Sequence, residues 1–125
     1  KRSLKKDRQP GVWDSSASGH VGAGEHYDAC AVRELREEIG LETDTPPARW
    51  FKVDACAETD QEFVWVYRHE SAGPFTLHPD EIERGEWFAP DHVTRWVAER
   101  PQDFASAFRL IWRRLGDAHN PTISK

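Results

Sequence analysis

Glu34, Glu37 and Glu38 stand at i, i+3 and i+4. On an α-helix that spacing brings three carboxylates within one arc of about 100°. Leu35 and Ile39, with Val32, point to a different side, toward a core. Three like charges stacked this way repel one another by a few tenths of a kcal/mol per pair on an exposed helix. A divalent cation reverses that cost, and a cluster of hard oxygen donors suits Mg²⁺ or Mn²⁺. The plainer account is a solvated face balanced by Arg33 and Arg36, with Arg33 and Glu37 as an i, i+4 ion pair. The helix alone leaves both accounts open.

The elements around this cluster follow from periodicity. Ala31, Leu35 and Ile39 recur at helical spacing within 27–39, and Gly40 stands where a C-terminal cap belongs. Residues 12–20 read as a short strand feeding a Ser/Gly-rich loop. Residues 50–57 and 62–69 read as a hairpin, and 63–67, apolar at every position, as a strand covered on both faces. A short strand at 86–89, a helix at 91–99 and a last helix from about 102 to 115 complete the pattern. Phe104, Phe108, Ile111, Trp112 and Leu115 form the stripe of that last helix. Helices before and after mixed strands predict an α/β (α+β) fold, a mixed sheet between helices.

The 125 residues carry 17 Lys plus Arg against 22 Asp plus Glu, a net charge of −5, and 14 aromatics (6 Trp, 6 Phe, 2 Tyr). The length predicts one domain with one real core, 1–125, and the aromatics argue against disorder. No apolar run is long enough for a membrane helix, and the acidic balance gives no reason to expect a nucleic-acid polymer as partner. Cys30 and Cys56 are too few for a disulfide framework and read as reduced thiols and small core residues in a cytoplasmic chain. The sequence opens on Lys1 and holds no Met, so an N-terminal portion is expected to be missing.

Around the carboxylates the chain reads Gly19, five residues, Glu25, seven residues, then Arg33-Glu34-Leu35-Arg36-Glu37-Glu38-Ile39-Gly40-Leu41. This resembles the Nudix hydrolase signature, G-x5-E-x7-R-E-U-x-E-E-x-G-U with U aliphatic, at every specified position. At roughly 6 % usage per residue type, the seven fixed positions recur by chance on the order of once in 10⁹ starting points. The resemblance implies a loop–helix–loop that carries Mg²⁺ or Mn²⁺ and binds a small-molecule diphosphate. It also implies a mixed sheet between helices, with a strand ahead of Lys1. Carried over, Glu37 and Glu38 are the main metal ligands and Glu34 a third ligand or the base. Glu25 and Arg33 brace the loop, Gly19 and Gly40 serve its turns, and the backbone carbonyl of Ser18 reaches the metal.

A second likeness narrows the branch. Arg2-Ser3-Leu4-Lys5-Lys6, Pro10-Gly11-Val12-Trp13 and Gly19-His20 resemble the type I isopentenyl-diphosphate isomerases. Their acid cysteine, just before Gly-His, is Ser18 here, and a hydroxyl is a far poorer acid than a thiol. That departure and the complete signature favour hydrolysis. The same likeness offers His20 and Glu62 as further metal ligands. Their plainer accounts are a loop histidine and a solvent-facing residue at a strand start. Glu81, Glu83 and Glu86 occupy the region where other Nudix hydrolases supply another carboxylate. Lys5, Lys6 and Arg8 are candidates to hold substrate phosphates, or else a frayed basic end. Trp13, Trp50 and Trp65 suit either a stacked base or the core. The expected activity is hydrolysis of a diphosphate linked to another moiety, by a monomer or homodimer. The alternatives are an isoprenoid-diphosphate isomerase or a binding module without turnover.

Overall fold

The structure, a computed structural model, describes residues 1–18, 25–59 and 63–119. Helix α1 spans Tyr27–Ile39, the extent that the hydrophobic period predicts, and buries Cys30 and Ile39. It ends because Gly40 turns left-handed at φ 68°, a conformation that costs glycine nothing. The Gly40 N–H donates to the Arg36 carbonyl and the Leu41 N–H to the Leu35 carbonyl.

Two more of the helix's last carbonyls are met from outside it. The Thr76 N–H donates to Ile39 (2.9 Å) and the His78 N–H to Glu38 (2.8 Å). Carbonyls in a final helical turn have no intrahelical donor, so this docking satisfies groups that would otherwise be orphaned. It also fixes the path of the chain toward Glu81, whose own N–H donates to His78.

Strands β1 (Ala48–Val53) and β2 (Val64–Arg68) pair antiparallel, with a register shift between Arg49 and Phe51. The hairpin forms near the predicted bounds, with a 3₁₀ turn at Ala57–Thr59. Its second strand is not covered on both faces. Val64, Trp65, Val66 and Tyr67 are all half-buried, and Phe63 is exposed. Lys52 lies 4.4 Å from the Phe63 ring centroid and Arg49 4.6 Å from that of Trp65. Cation stems and heads thus shield rings that sequence polarity assigned to the core.

Helix α2 spans Pro90–Glu99 with proline at its start, where the missing N–H is no loss. The predicted strand at 86–89 is instead irregular chain leading into α2. Helix α3 spans Ser106–His119, starting later than the periodicity suggests. Pro101 opens a short 3₁₀ turn, and Phe104 is extended and buried before the helix begins. Residues 12–18 hold only an isolated parallel bridge, Trp13 to Phe104, rather than a strand. Beyond β1 and β2, the described strand pairing is that bridge and an antiparallel one from Arg2 to Ile82.

The core between these elements is aromatic. Trp13 meets Phe88 and Trp96 edge-on at 5.2 and 5.7 Å, and Trp96 meets Phe104 at 4.8 Å. Phe104, Phe108 and Trp112 stack in sequence at 5.4 and 5.7 Å, adding stabilisation beyond their area. Val53, Val93, Ala105 and Leu110 are buried with them. Cys30 joins the core, whereas Cys56 is half-buried and donates its N–H to the Thr59 hydroxyl. The basic N-terminus is not frayed. Ser3 is buried and donates to the Glu81 carbonyl, and the Glu83 N–H donates to Lys1.

A Cβ at Gly40 would lie 2.8 Å from Thr76 Cβ and 3.0 Å from its carbonyl oxygen. Gly40→Ala combines this clash with left-handed strain. Urea denaturation should show a loss of about 2 kcal/mol or more. An unchanged midpoint would mean that α1 does not depend on this ending.

Candidate functional site

The first turn of α1 is fastened to the hairpin through Asp28. Its Oδ1 accepts from Arg49 Nε at 2.8 Å and from the Tyr67 hydroxyl at 2.7 Å. The Arg49 guanidinium, seconded by Tyr67, holds the Asp28 carboxyl below the usual carboxylate range. Burial, with the same carboxylate, pushes the Tyr67 hydroxyl up to about 12. No spacing in the sequence pointed to this clasp, which joins residues far apart in the chain.

Along α1, Arg33 organises the acidic face. Nε and Nη2 grip Glu25 Oε2 and Oε1 at 2.8 and 3.1 Å, the two-point geometry expected of this pair. Nη1 reaches Glu34 Oε1 at 2.8 Å and Glu37 Oε2 at 3.0 Å. Glu25, foremost among these partners, drives the Arg33 guanidinium further into its charged form.

Glu38 turns elsewhere. Its Oε2 accepts the Ser18 N–H at 2.6 Å, so Ser18 meets it through its amide. Burial pushes the Glu38 carboxyl up to about 7, against the Ser18 hydrogen bond and with the help of Glu34 and Glu81. Burial likewise raises Glu34, where Arg33 opposes it and Glu37 and Glu81 add to it. Lys6 is the cation that favours ionised Glu38, and its Nζ is paired with Glu81 Oε2.

Of the three acids offered near the last predicted strand, Glu81 is therefore the one at the site. Glu83 pairs with Lys1 and Glu86 with Arg84. Spacing could not separate them; the Ser3–Glu81 backbone contact does. Among the three basic candidates, Lys6 is brought to the carboxylates. Lys5 pairs with the exposed Asp80, and the Arg8 carbonyl accepts from Arg2. Gly19, His20 and Glu62 lie outside the described residues.

Among the described residues, no three His, Cys, Asp or Glu side chains close into an ion cage. Glu34 and Glu37 are drawn to Arg33, and Glu38 to Ser18. The donor chemistry nevertheless fits a divalent cation. Glu34, Glu38 and Glu81 are hard carboxylate donors, and burial raises Glu34 and Glu38, with Glu81 adding to both shifts. A cleft of about 500 Å³, lined by Trp13, Arg84, Phe88, His92 and Trp96, contains no residue of α1. Trp13 thus belongs at once to the core and to this cleft's wall.

Asp28 yields a signed pH dependence. Its carboxyl is held below 3.8, so its stabilising effect is complete above that value. The effect disappears as pH falls through the lower value that the fold imposes. Asp28→Asn should melt below the wild type at pH 7, with the gap closing under strong acid. A gap that persists there would show that charge is not what matters.

No helix among the described residues is long and apolar enough to cross a membrane. A sequence model of the NUDIX domain matches residues 1–108. An uncharacterized Nudix hydrolase of Yersinia pestis is 34 % identical over 116 residues, covering 88 % of this chain and 60 % of that protein. An isopentenyl-diphosphate Delta-isomerase of Clavibacter michiganensis is 29 % identical, over 84 % of this chain and 57 % of its own length. The chain thus spans about 60 % of the length of the curated relatives it matches. The crystal structure of DR0079 from Deinococcus radiodurans superposes with a TM-score of 0.73 at 29 % identity, covering 90 % of this chain and 70 % of that one. The domain match runs from the N-terminal segment through the carboxylate helix to the start of α3, and the chain belongs to the Nudix family.

Proposed function

We propose that this chain is a single-domain, divalent-metal-dependent hydrolase that cleaves a diphosphate linked to another moiety into two phosphorylated products. The observation that carries the reading is the half-buried Glu38 carboxylate, which accepts the Ser18 amide and feels the charges of Glu34 and Glu81. Glu37 and Glu38, with the Ser18 backbone carbonyl and Glu34 as a third ligand or the base, would hold Mg²⁺ or Mn²⁺, and the charge of Glu81 acts on Glu34 and Glu38. When bound, the cation neutralises diphosphate charge and makes phosphorus easier to attack.

The chain's own groups do the rest. Glu34 orients or deprotonates the attacking water, a role that suits a half-buried carboxylate steered by a guanidinium. Arg33 fixes Glu34 and Glu37 relative to the loop at Glu25. The Ser18 amide donates to Glu38 and keeps one of its oxygens aimed.

The test is phosphate release from a panel of diphosphates with and without Mg²⁺ or Mn²⁺, coupled to a phosphatase that exposes monoesters. The panel holds nucleoside di- and triphosphates, a dinucleoside polyphosphate, a nucleotide sugar and isopentenyl diphosphate. Metal-dependent release from one member is expected, and Glu38→Gln should lower it by about 100-fold or more while leaving the circular dichroism unchanged. Equal turnover in that variant would remove Glu38 from the site. Silence across the panel would overturn hydrolysis.

The isomerase relative favours one second reading, isomerisation of an isoprenoid diphosphate. That chemistry lacks its thiol, because Ser18 stands at the acid's position. If it operates, Ser18→Cys raises double-bond isomerisation of isopentenyl diphosphate; an unchanged rate counts against it.

A further inference from the structure

We infer that Lys6 is an internal counter-ion that competes with the divalent cation for the carboxylates beside α1, leaving Glu81 when the cation arrives. This deepens the metal reading above and rests on it.

The placement of Lys6 is built rather than incidental. The Lys6 N–H donates to the Ser3 carbonyl, and the Lys5 N–H to the Ser3 hydroxyl, closing a tight turn. Ser3 itself is buried and donates to the Glu81 carbonyl. The turn that presents the ammonium is therefore hydrogen-bonded to the residue the ammonium pairs with. Lys6 and Glu81 are also more enclosed than their neighbours, with side chains 25 % and 36 % exposed against 70 % and 65 % for Lys5 and Asp80.

Charge explains what the turn is for. Arg33 serves Glu25, Glu34 and Glu37, three carboxylates on its own side. The His78 N–H caps the Glu38 carbonyl and the Glu81 N–H donates to His78, so one backbone path links the two acids, whose like charges repel, and Glu81 holds Lys6. A single ammonium relieves part of that repulsion, and a doubly charged ion at the same carboxylates relieves more. Two cations drawn to the same carboxylates repel each other, so both cannot occupy the cluster at full strength. Lys6 thereby steadies the metal-free protein and weakens its hold on the metal.

Calorimetric titration of the metal-free protein with Mn²⁺ tests this. Lys6→Gln, and Lys6→Met, which keeps more of the aliphatic stem, should each bind Mn²⁺ about tenfold more tightly than the wild type. Both should melt lower without metal and gain a larger Mn²⁺-dependent rise in Tm. Lys6→Arg and Lys5→Gln, which retain the cation or remove one from the exposed surface, should stay within about twofold of the wild type. Equal or weaker Mn²⁺ binding in both neutral Lys6 variants overturns the competition. A wild type that binds no Mn²⁺ overturns instead the metal reading beneath it.

Discussion

The fork of Arg33 is the constraint on which the acidic face depends. Its donors hold Glu25 from the loop and Glu34 and Glu37 from the helix. A guanidinium does this better than an ammonium, because its planar donors can meet several carboxylates at fixed angles. The outcome is an unequal division of four acids. Three share Arg33 along one flank, and Glu38 is left to the Ser18 amide and to charges from another part of the chain. Arg33 thus decides which carboxylates of the helix it holds and which is left to other partners.

Both ends of α1 are fixed by residues that the helix does not contain. At the start, Asp28 ties the first turn to Arg49 of β1 and Tyr67 of β2, with the acid at the positive pole of the helix. At the finish, the left-handed Gly40 opens space for Thr76, and the chain's N–H groups cap the last carbonyls. From there the backbone reaches Glu81 and pairs with Ser3. Lys6, Glu81 and Glu38 therefore converge through backbone hydrogen bonds, rather than through flexible side chains alone.

What the sequence made legible was local. The extent of α1 followed from a 3.6-residue period ending in glycine, and the Arg33–Glu25 pair lies within one loop–helix unit. The hairpin was legible for the same reason, as two β-rich runs around a polar turn. The failures were tertiary. The 63–67 run looked doubly buried, but Arg49 and Lys52 lie over its rings and leave it half-exposed. The 86–89 run looked like a strand, yet it serves as a lead into Pro90. Glu81 could not be told from Glu83 or Glu86, because the choice depends on contacts with Lys6 and Lys1, about 75 positions or more away in the chain.

The electrostatics of the site also connect folding with ligand binding. Among the described residues, Arg33 pairs with Glu25, Glu34 and Glu37 and Lys6 with Glu81, while Glu38 accepts from the Ser18 amide. Burial makes ionised Glu38 costly, and its proton affinity rises to about 7 as a result. An apolar residue there would fold more readily, so the carboxylate is not explained by stability alone. A divalent cation bound as proposed would supply positive charge only in the folded state, where these acids are gathered, and so would add its binding free energy to that of folding. The cost of ionising Glu38 and the proposed affinity for a cation would then be two expressions of one charge imbalance.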